Sequence, residues 1–254
     1  MNYSLPATTL TPALVVFLID TSDSMNEACD NSTKIEIVNA SLREAVRHMI
    51  RRSMRDGIPQ PQYQVAIISY NTQVENVLRG IRSLPELVSA GVPKLEARGE
   101  TNTVAGFLAV EELLTEYIAS LERNSIPPCP APLVCHLTDA HFSTEDPDPV
   151  VKRIRAMKVA DGSVLVENVY IADEMLVQPI ADWTNWKGLM RENELKHDDA
   201  KRLFRLSSPL PDVYRQNINN YGYHLQKGSV LFFPGTHRDL VRLAFAISAG
   251  THLK

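Results

Sequence analysis

Ala13-Leu-Val-Val-Phe-Leu-Ile19 is a continuous apolar run that ends at Asp20-Thr-Ser22-Asp-Ser24. Seven apolar residues rich in Val, Ile and Phe, with no polar alternation, read as a strand buried on both faces of a parallel sheet. The strand gives way to a polar turn in which all five residues carry side-chain oxygens, and the alternating Asp20, Ser22 and Ser24 can turn toward one point.

Outward from this stretch, Thr33-Lys-Ile-Glu36 has the form of a capping box, and Ile35, Val38, Leu42, Ala45, Val46, Met49 and Ile50 follow at helical spacing. The pattern predicts a helix to about Asp56, stopped by Gly57 and Pro59. Tyr63 to Tyr70 reads as a second buried strand, with a short edge strand within Gln73 to Arg79 behind an Asn71-Thr72 turn. A second helix is expected over Thr103 to Arg123, with Val104, Phe107, Leu108, Leu114, Tyr117, Ile118 and Leu121 on one stripe. Leu133 to Thr138 reads as a third strand ending at Asp139, Pro149 to Lys158 as a helix and Val164 to Ala172 as a fourth strand. Beyond it the periodicity weakens, and Phe204 to Ser207 is read as a strand, Asp212 to Asn220 and Leu240 to Ser248 as helices. The alternation predicts an α/β fold: a Rossmann-like, mostly parallel central sheet with helices on both faces. We expect one domain over 1–254, with a core at 12–172, an irregular insert at about 173–202, and elements at 203–254 completing the sheet and helices.

Composition narrows the function. The chain has 254 residues, 44% of them hydrophobic, enough for a sizeable core. A formal net charge of -4 supplies no general basic field for collecting phosphates, so no nucleic-acid partner is expected from bulk charge. Cys29, Cys129 and Cys135 form no disulfide framework and no Cys-x-x-Cys pair, which fits a reducing, cytoplasmic compartment. Met1 to Thr11 carries no Lys or Arg, and Ala13 to Ile19 is far short of the roughly 20 residues a membrane span needs, so neither a signal peptide nor a membrane anchor is expected.

In a parallel sheet, the Asp20 turn, the loop carrying Thr101 and the Thr138-Asp139 strand end gather at the carboxyl edge, where open α/β folds bind ligands. Oxygen donors in that arrangement suit a hard cation. Asp20-Thr-Ser-Asp-Ser24 resembles the Asp-x-Ser-x-Ser motif of von Willebrand factor A (VWA) domains. Gly99-Glu-Thr101-Asn102 is similar to that family's Gly-Gly-Thr-Asn loop, and Thr138-Asp139-Ala140 to its Thr-Asp-Gly. The order of elements from Ala13 to Ala172 follows the same fold. The resemblance implies a metal-ion-dependent adhesion site (MIDAS) formed by Asp20, Ser22, Ser24, Thr101 and Asp139, holding Mg²⁺, with Mn²⁺ or Ca²⁺ as alternatives. There an open coordination position takes an Asp or Glu from a partner protein. Intracellular bacterial VWA proteins of the tellurium-resistance type look closest, which implies a signalling, stress or defence complex with a PP2C-type phosphatase or a protein kinase as partner. The chain departs from the family at Asp23, Glu100 and Ala140, where glycine is common, so Asp23 and Glu100 are expected to add negative charge near the cation.

On this reading the protein is not an enzyme. A competing class is the metal-dependent phosphohydrolase, since a hydrophobic strand ending in Asp20 with Thr138 ending a later one resembles the haloacid-dehalogenase phosphatases in outline. Those enzymes need a second Asp two residues on, and serine at position 22 cannot exchange a proton near neutral pH. No Gly-rich loop with Lys-Ser/Thr supports an NTPase. A third reading is a scaffold that binds acidic peptide or nucleic acid through Arg43, Arg47, Arg51 and Arg55, a basic ridge recurring every fourth residue. His136 falls inside a strand and is read as a core residue, His141 lies in the Asp139 loop, and Trp183 and Trp186 either anchor a partner or pin the insert to the sheet.

Overall fold

In a computed structural model, which describes residues 3–29, 31–139, 145–172, 174–220, 222–235 and 238–248, the opening apolar run forms a strand with all eight residues buried (β1, Ala13–Asp20). It is followed by α1 (Lys34–Ser53), β2 (Tyr63–Tyr70), β3 (Val74–Asn76), β4 (Arg82–Ser83), α2 (Leu84–Ala90) and α3 (Thr103–Arg123). The second half contributes β5 (Leu133–Thr138), α4 (Asp148–Ala156), β6 (Leu165–Tyr170), α5 (Asp198–Leu206), α6 (Asp212–Asn219), β7 (Phe232–Pro234) and α7 (Arg238–Ser248). The strands make one seven-stranded sheet in the order β7-β6-β5-β1-β2-β3, with β4 also paired to β2. β7, β6, β5, β1 and β2 run parallel, and β3 and β4 are antiparallel additions to β2.

The central strand explains the layering. Val15, Phe17 and Ile19 belong to the core packed under α1 and α7, with Phe17 and Phe245 rings 5.3 Å apart. Leu14, Val16 and Leu18 belong to the core under α3 and α4. A strand with both faces covered has no polar face to display, which is why its sequence does not alternate. Chain order places β2 on one side of β1 and β5 on the other, so the sheet has its switch point beside β1, the position at which open α/β sheets bind ligands.

Several elements differ from their sequence reading. Helix α1 ends at Ser53, and Met54–Arg55 pairs with Ile58–Pro59 in a hairpin. Asp56 and Gly57 both adopt positive φ, 49° and 77°, the geometry of a two-residue turn between paired strands. Arg55 therefore sits on a hairpin and not on the helical ridge; Arg47 and Arg51 are exposed on α1, and Arg43 is half-buried. On α3 the buried stripe is Thr103, Phe107, Val110, Leu114 and Tyr117, at alternating steps of four and three, and Leu108 is 46% exposed. Phe204–Ser207, read as a strand, lies at the end of α5: Ala200, Leu203 and Leu206 bury one face of a helix whose first turn carries Asp198 and Asp199. The segment read as an irregular insert contains a short 3₁₀ turn, Glu192–Glu194, and the start of α5.

Candidate functional site

The site is built at the carboxyl edge of the sheet. Asp20 ends β1 fully buried, beside Tyr70 at the end of β2 and Thr138 at the end of β5. Thr138 Oγ1 donates to Asp20 Oδ2 at 2.8 Å, and the Ser22 backbone N–H donates to Asp20 Oδ1 at 2.9 Å. Ser22 Oγ and Ser24 Oγ lie 3.1 Å apart, at the start of a 3₁₀ turn over Asp23–Asn26 whose Met25 is fully buried. The motif loop is tied down by backbone bonds: Thr21 N–H to Tyr70 C=O at 2.8 Å, Arg98 N–H to Thr21 C=O at 2.7 Å, and Asp23 N–H to Gly99 C=O at 2.8 Å.

The last two bonds bring the Thr101 loop against the motif loop. Gly99 is at φ +74° with its backbone against Thr72, where a Cβ would fall 2.6 Å from Thr72 Oγ1, so glycine is required twice over. Asn102 then caps α3, its Oδ1 accepting Ala105 N–H at 3.0 Å. Thr101 itself is half-buried, and its hydroxyl forms no hydrogen bond with Asp20, Ser22, Ser24 or Asp139 among the described residues. Asp23 and Glu100, the two added carboxylates, are both exposed.

Asp139 follows β5 with its side chain 1% exposed. Oδ2 accepts from Lys34 Nζ at 2.8 Å, while Oδ1 is buried with no hydrogen-bond partner among the described residues. The same ammonium donates to Glu27 Oε2 at 2.6 Å. Lys34 is the first residue of α1, and the Thr33/Glu36 capping box fixes where that helix starts. Sequence reasoning treated this lysine only as a helix-entry residue; nothing local marks it as reaching the end of β5, because that contact spans 105 positions.

Charge and burial act against each other here. Burial pushes the Asp20 carboxyl above its ordinary range; hydrogen bonds from Ser22 and Thr138 pull it back, and the charge of Asp139 adds to the rise. No ion pair reaches Asp20 among the described residues. For Lys34, burial disfavours the charge, but hydrogen bonds to Asp139 and Glu27 outweigh it and raise the pKa. Beneath Asp20 runs a buried polar chain. Asn168 Nδ2 donates to Ser207 Oγ at 2.9 Å and to Leu203 C=O at 3.3 Å, which leaves Asn168 Oδ1 to accept from His136 Nδ1–H at 2.8 Å. His136 Nε2 then accepts the Tyr70 O–H at 2.7 Å, with Asp20 Oδ2 a longer 3.4 Å away. Burial lowers the His136 pKa to about 4, so the ring is neutral at physiological pH, a packed core residue as expected from its place in a strand.

Among the described residues no three of His, Cys, Asp and Glu gather into a metal cluster. The donors present are two carboxylates and several hydroxyls, an all-oxygen set suited to Mg²⁺ or Ca²⁺ and not to zinc. Asp139 Oδ1, without a hydrogen-bond partner among the described residues, and the adjacent Ser22 and Ser24 hydroxyls are donors of the kind such an ion takes. Ala140 and His141 lie outside the described residues. Trp183 and Trp186 are half-buried against the core, and Trp186 meets the Phe233 ring edge-to-face at 5.7 Å, so the insert is pinned to the end of the sheet.

Residues 15–126 match the family described as von Willebrand factor type A domain. The fold is that of a VWA domain. Similar solved structures include the SpRpn10 VWA domain (TM-score 0.50, 13% identity, 92% of this chain and 93% of that one). The PilB minor pilin from Streptococcus sanguinis is similar over 93% of this chain (TM-score 0.53, 10% identity), and the pilus adhesin SpaC from Lactobacillus rhamnosus GG over 96% (TM-score 0.55, 12% identity). This chain spans 60% of the minor pilin and 31% of the adhesin. No curated protein matches in sequence. The VWA match contains Asp20, Ser22, Ser24 and Thr101, whereas Asp139 lies beyond it.

Proposed function

We propose that this VWA domain is a non-enzymatic, metal-dependent protein-interaction module, in which a divalent cation held by Asp20, Ser22, Ser24, Thr101 and Asp139 takes an Asp or Glu from a partner. The observation that carries this reading is Asp139: its side chain is buried, and Oδ1 has no hydrogen-bond partner among the described residues. A buried carboxylate oxygen left bare is costly, and an ion at that oxygen offsets the cost. The ion, Mg²⁺ foremost with Mn²⁺ or Ca²⁺ as alternatives, supplies a positive centre for the partner's carboxylate. This chain's residues hold it at a rigid strand edge, and the loops around them select the partner.

Ser22 supports the non-enzymatic assignment. Its hydroxyl lies against Ser24 at the position where a phosphohydrolase of the competing class needs a proton-exchanging acid. The reading extends to a cytoplasmic signalling, stress or defence complex with a PP2C-type phosphatase or a protein kinase as partner, which rests only on the resemblance of the motif loops to those of intracellular bacterial VWA proteins. The buried thiols of Cys29, Cys129 and Cys135, none in a disulfide, are compatible with that compartment. No described helix is long and apolar enough to cross a membrane.

The test is thermal melting in EDTA and then with Mg²⁺, Mn²⁺ or Ca²⁺, beside a Ser22→Ala/Ser24→Ala variant. An ion that binds only the folded state adds about 2.7 kcal/mol at a hundredfold excess over its Kd. Wild type is expected to gain stability and the variant to lose the gain; a wild type indifferent to every cation removes the proposal. Immobilised acidic peptide, read with and without EDTA, tests the carboxylate step.

A further inference from the structure

We propose that Lys34 is an internal counter-ion for the cation site: its ammonium compensates Asp139 when the divalent ion is away, and its charge limits how tightly the ion is held. This inference rests on the metal reading above. Asp20 and Asp139 bring two buried carboxylates to one sheet edge, and removing such charges from water costs several kcal/mol per ion unless they are compensated. Among the described residues Lys34 is the one cation that touches either of them.

The lysine is held in place on three sides. The capping box sets the start of α1, the Lys34 backbone N–H donates to Glu27 C=O at 3.1 Å, and Nζ is held by Glu27 Oε2 at 2.6 Å. Its side chain is 12% exposed, so its charge is only partly screened by water. Among the described residues the contact is made through Asp139 Oδ2, and Oδ1 has no hydrogen-bond partner. Lysine and metal ion therefore share one carboxylate, with like charges on its two oxygens. Each weakens the hold of the other, and Lys34 keeps Asp139 from being wholly uncompensated in the ion-free protein.

The experiment uses the full chain with Lys34→Met, Lys34→Gln and Lys34→Arg. Gln removes the charge but keeps a donor for Asp139, in case Met does not fold without the ion. Melting is measured in EDTA and across a Mn²⁺ titration, and Mn²⁺ affinity by calorimetry. Lys34→Gln and Lys34→Met should melt below wild type in EDTA, regain most of that loss with saturating Mn²⁺, and bind the ion about 10-fold more tightly, which corresponds to about 1.4 kcal/mol. Lys34→Arg, which keeps the charge, should stay within about 3-fold of wild type. An equal loss of melting temperature with and without Mn²⁺ would make Lys34 an ordinary structural ion pair and overturn the inference alone. Weaker Mn²⁺ binding by the neutral variants would overturn it in favour of Lys34 as a positioning residue for Asp139. No response to Mn²⁺ in wild type or variants would remove the cation site, and this inference with it.

Discussion

A Cβ placed on Gly106 would lie 2.8 Å from Cδ1 of Tyr70 and 3.2 Å from Leu18 Cδ1, so α3 rests directly on the Tyr70 ring. That approach sets the start of α3, and with it the Asn102 cap and the Thr101 loop, against the ends of β1 and β2. The Tyr70 ring is fully buried and cannot swing aside. Gly106→Val should therefore cost about 1–3 kcal/mol in urea unfolding, in spite of the small gain from replacing glycine within a helix. Any stabilisation by Mg²⁺ should shrink along with it, because the loop on which Thr101 rides is displaced.

Asn39 holds the other end of that loop. Its Oδ1 accepts Leu95 N–H at 2.8 Å, and its Nδ2 donates to Leu95 C=O and Ile35 C=O, each at 2.9 Å. Asn39→Ala leaves two buried backbone groups of Leu95 without partners, at a cost of about 1–3 kcal/mol. Hydrogen exchange should speed up most over residues 91–100; uniform loss of protection across the sheet would contradict this local role.

His136 gives the stability a pH dependence. Its pKa is about 4 in the folded protein against about 6.5 for an ordinary histidine, so the unfolded chain binds the proton more readily. The associated stability is present above pH 6.5 and is lost as pH falls toward 4, up to about 3 kcal/mol. Burial raises the Asp20 pKa and acts in the opposite sense, but it is common to wild type and to His136→Gln. The difference between the two proteins, measured by melting from pH 7.5 to pH 4, should shrink on the acid side.

Trp186 anchors the segment between β6 and α5 through its edge-to-face contact with Phe233. Trp186→Ala should cost about 1–2 kcal/mol, most of it local, given the half-buried ring. Limited proteolysis should then cut within 174–196 while β1 and β2 stay protected. Global unfolding at the same protease level would show that the insert is integral to the core.

Local chemistry in the sequence determined β1, the Thr33/Glu36 capping box, the limits of α3, and the mostly parallel α/β class, because each follows from short-range periodicity or from a strand that must be covered on both faces. It also placed Asp20, Ser22 and Ser24 in one turn, since residues two apart in a short loop have little freedom to separate. Local pattern failed where two periods fit equally well: Phe204–Ser207 is apolar enough for a strand, but Ala200, Leu203 and Leu206 needed one buried helical face. It failed again at Asp56-Gly57, where the signal that stops a helix also turns a hairpin. Only the tertiary structure joined Lys34 to Asp139, Thr138 to Asp20, and Tyr70 through His136 to Asn168. Those pairs lie 32 to 118 positions apart in the chain, and their partners are chosen by strand order and burial, which no local pattern encodes.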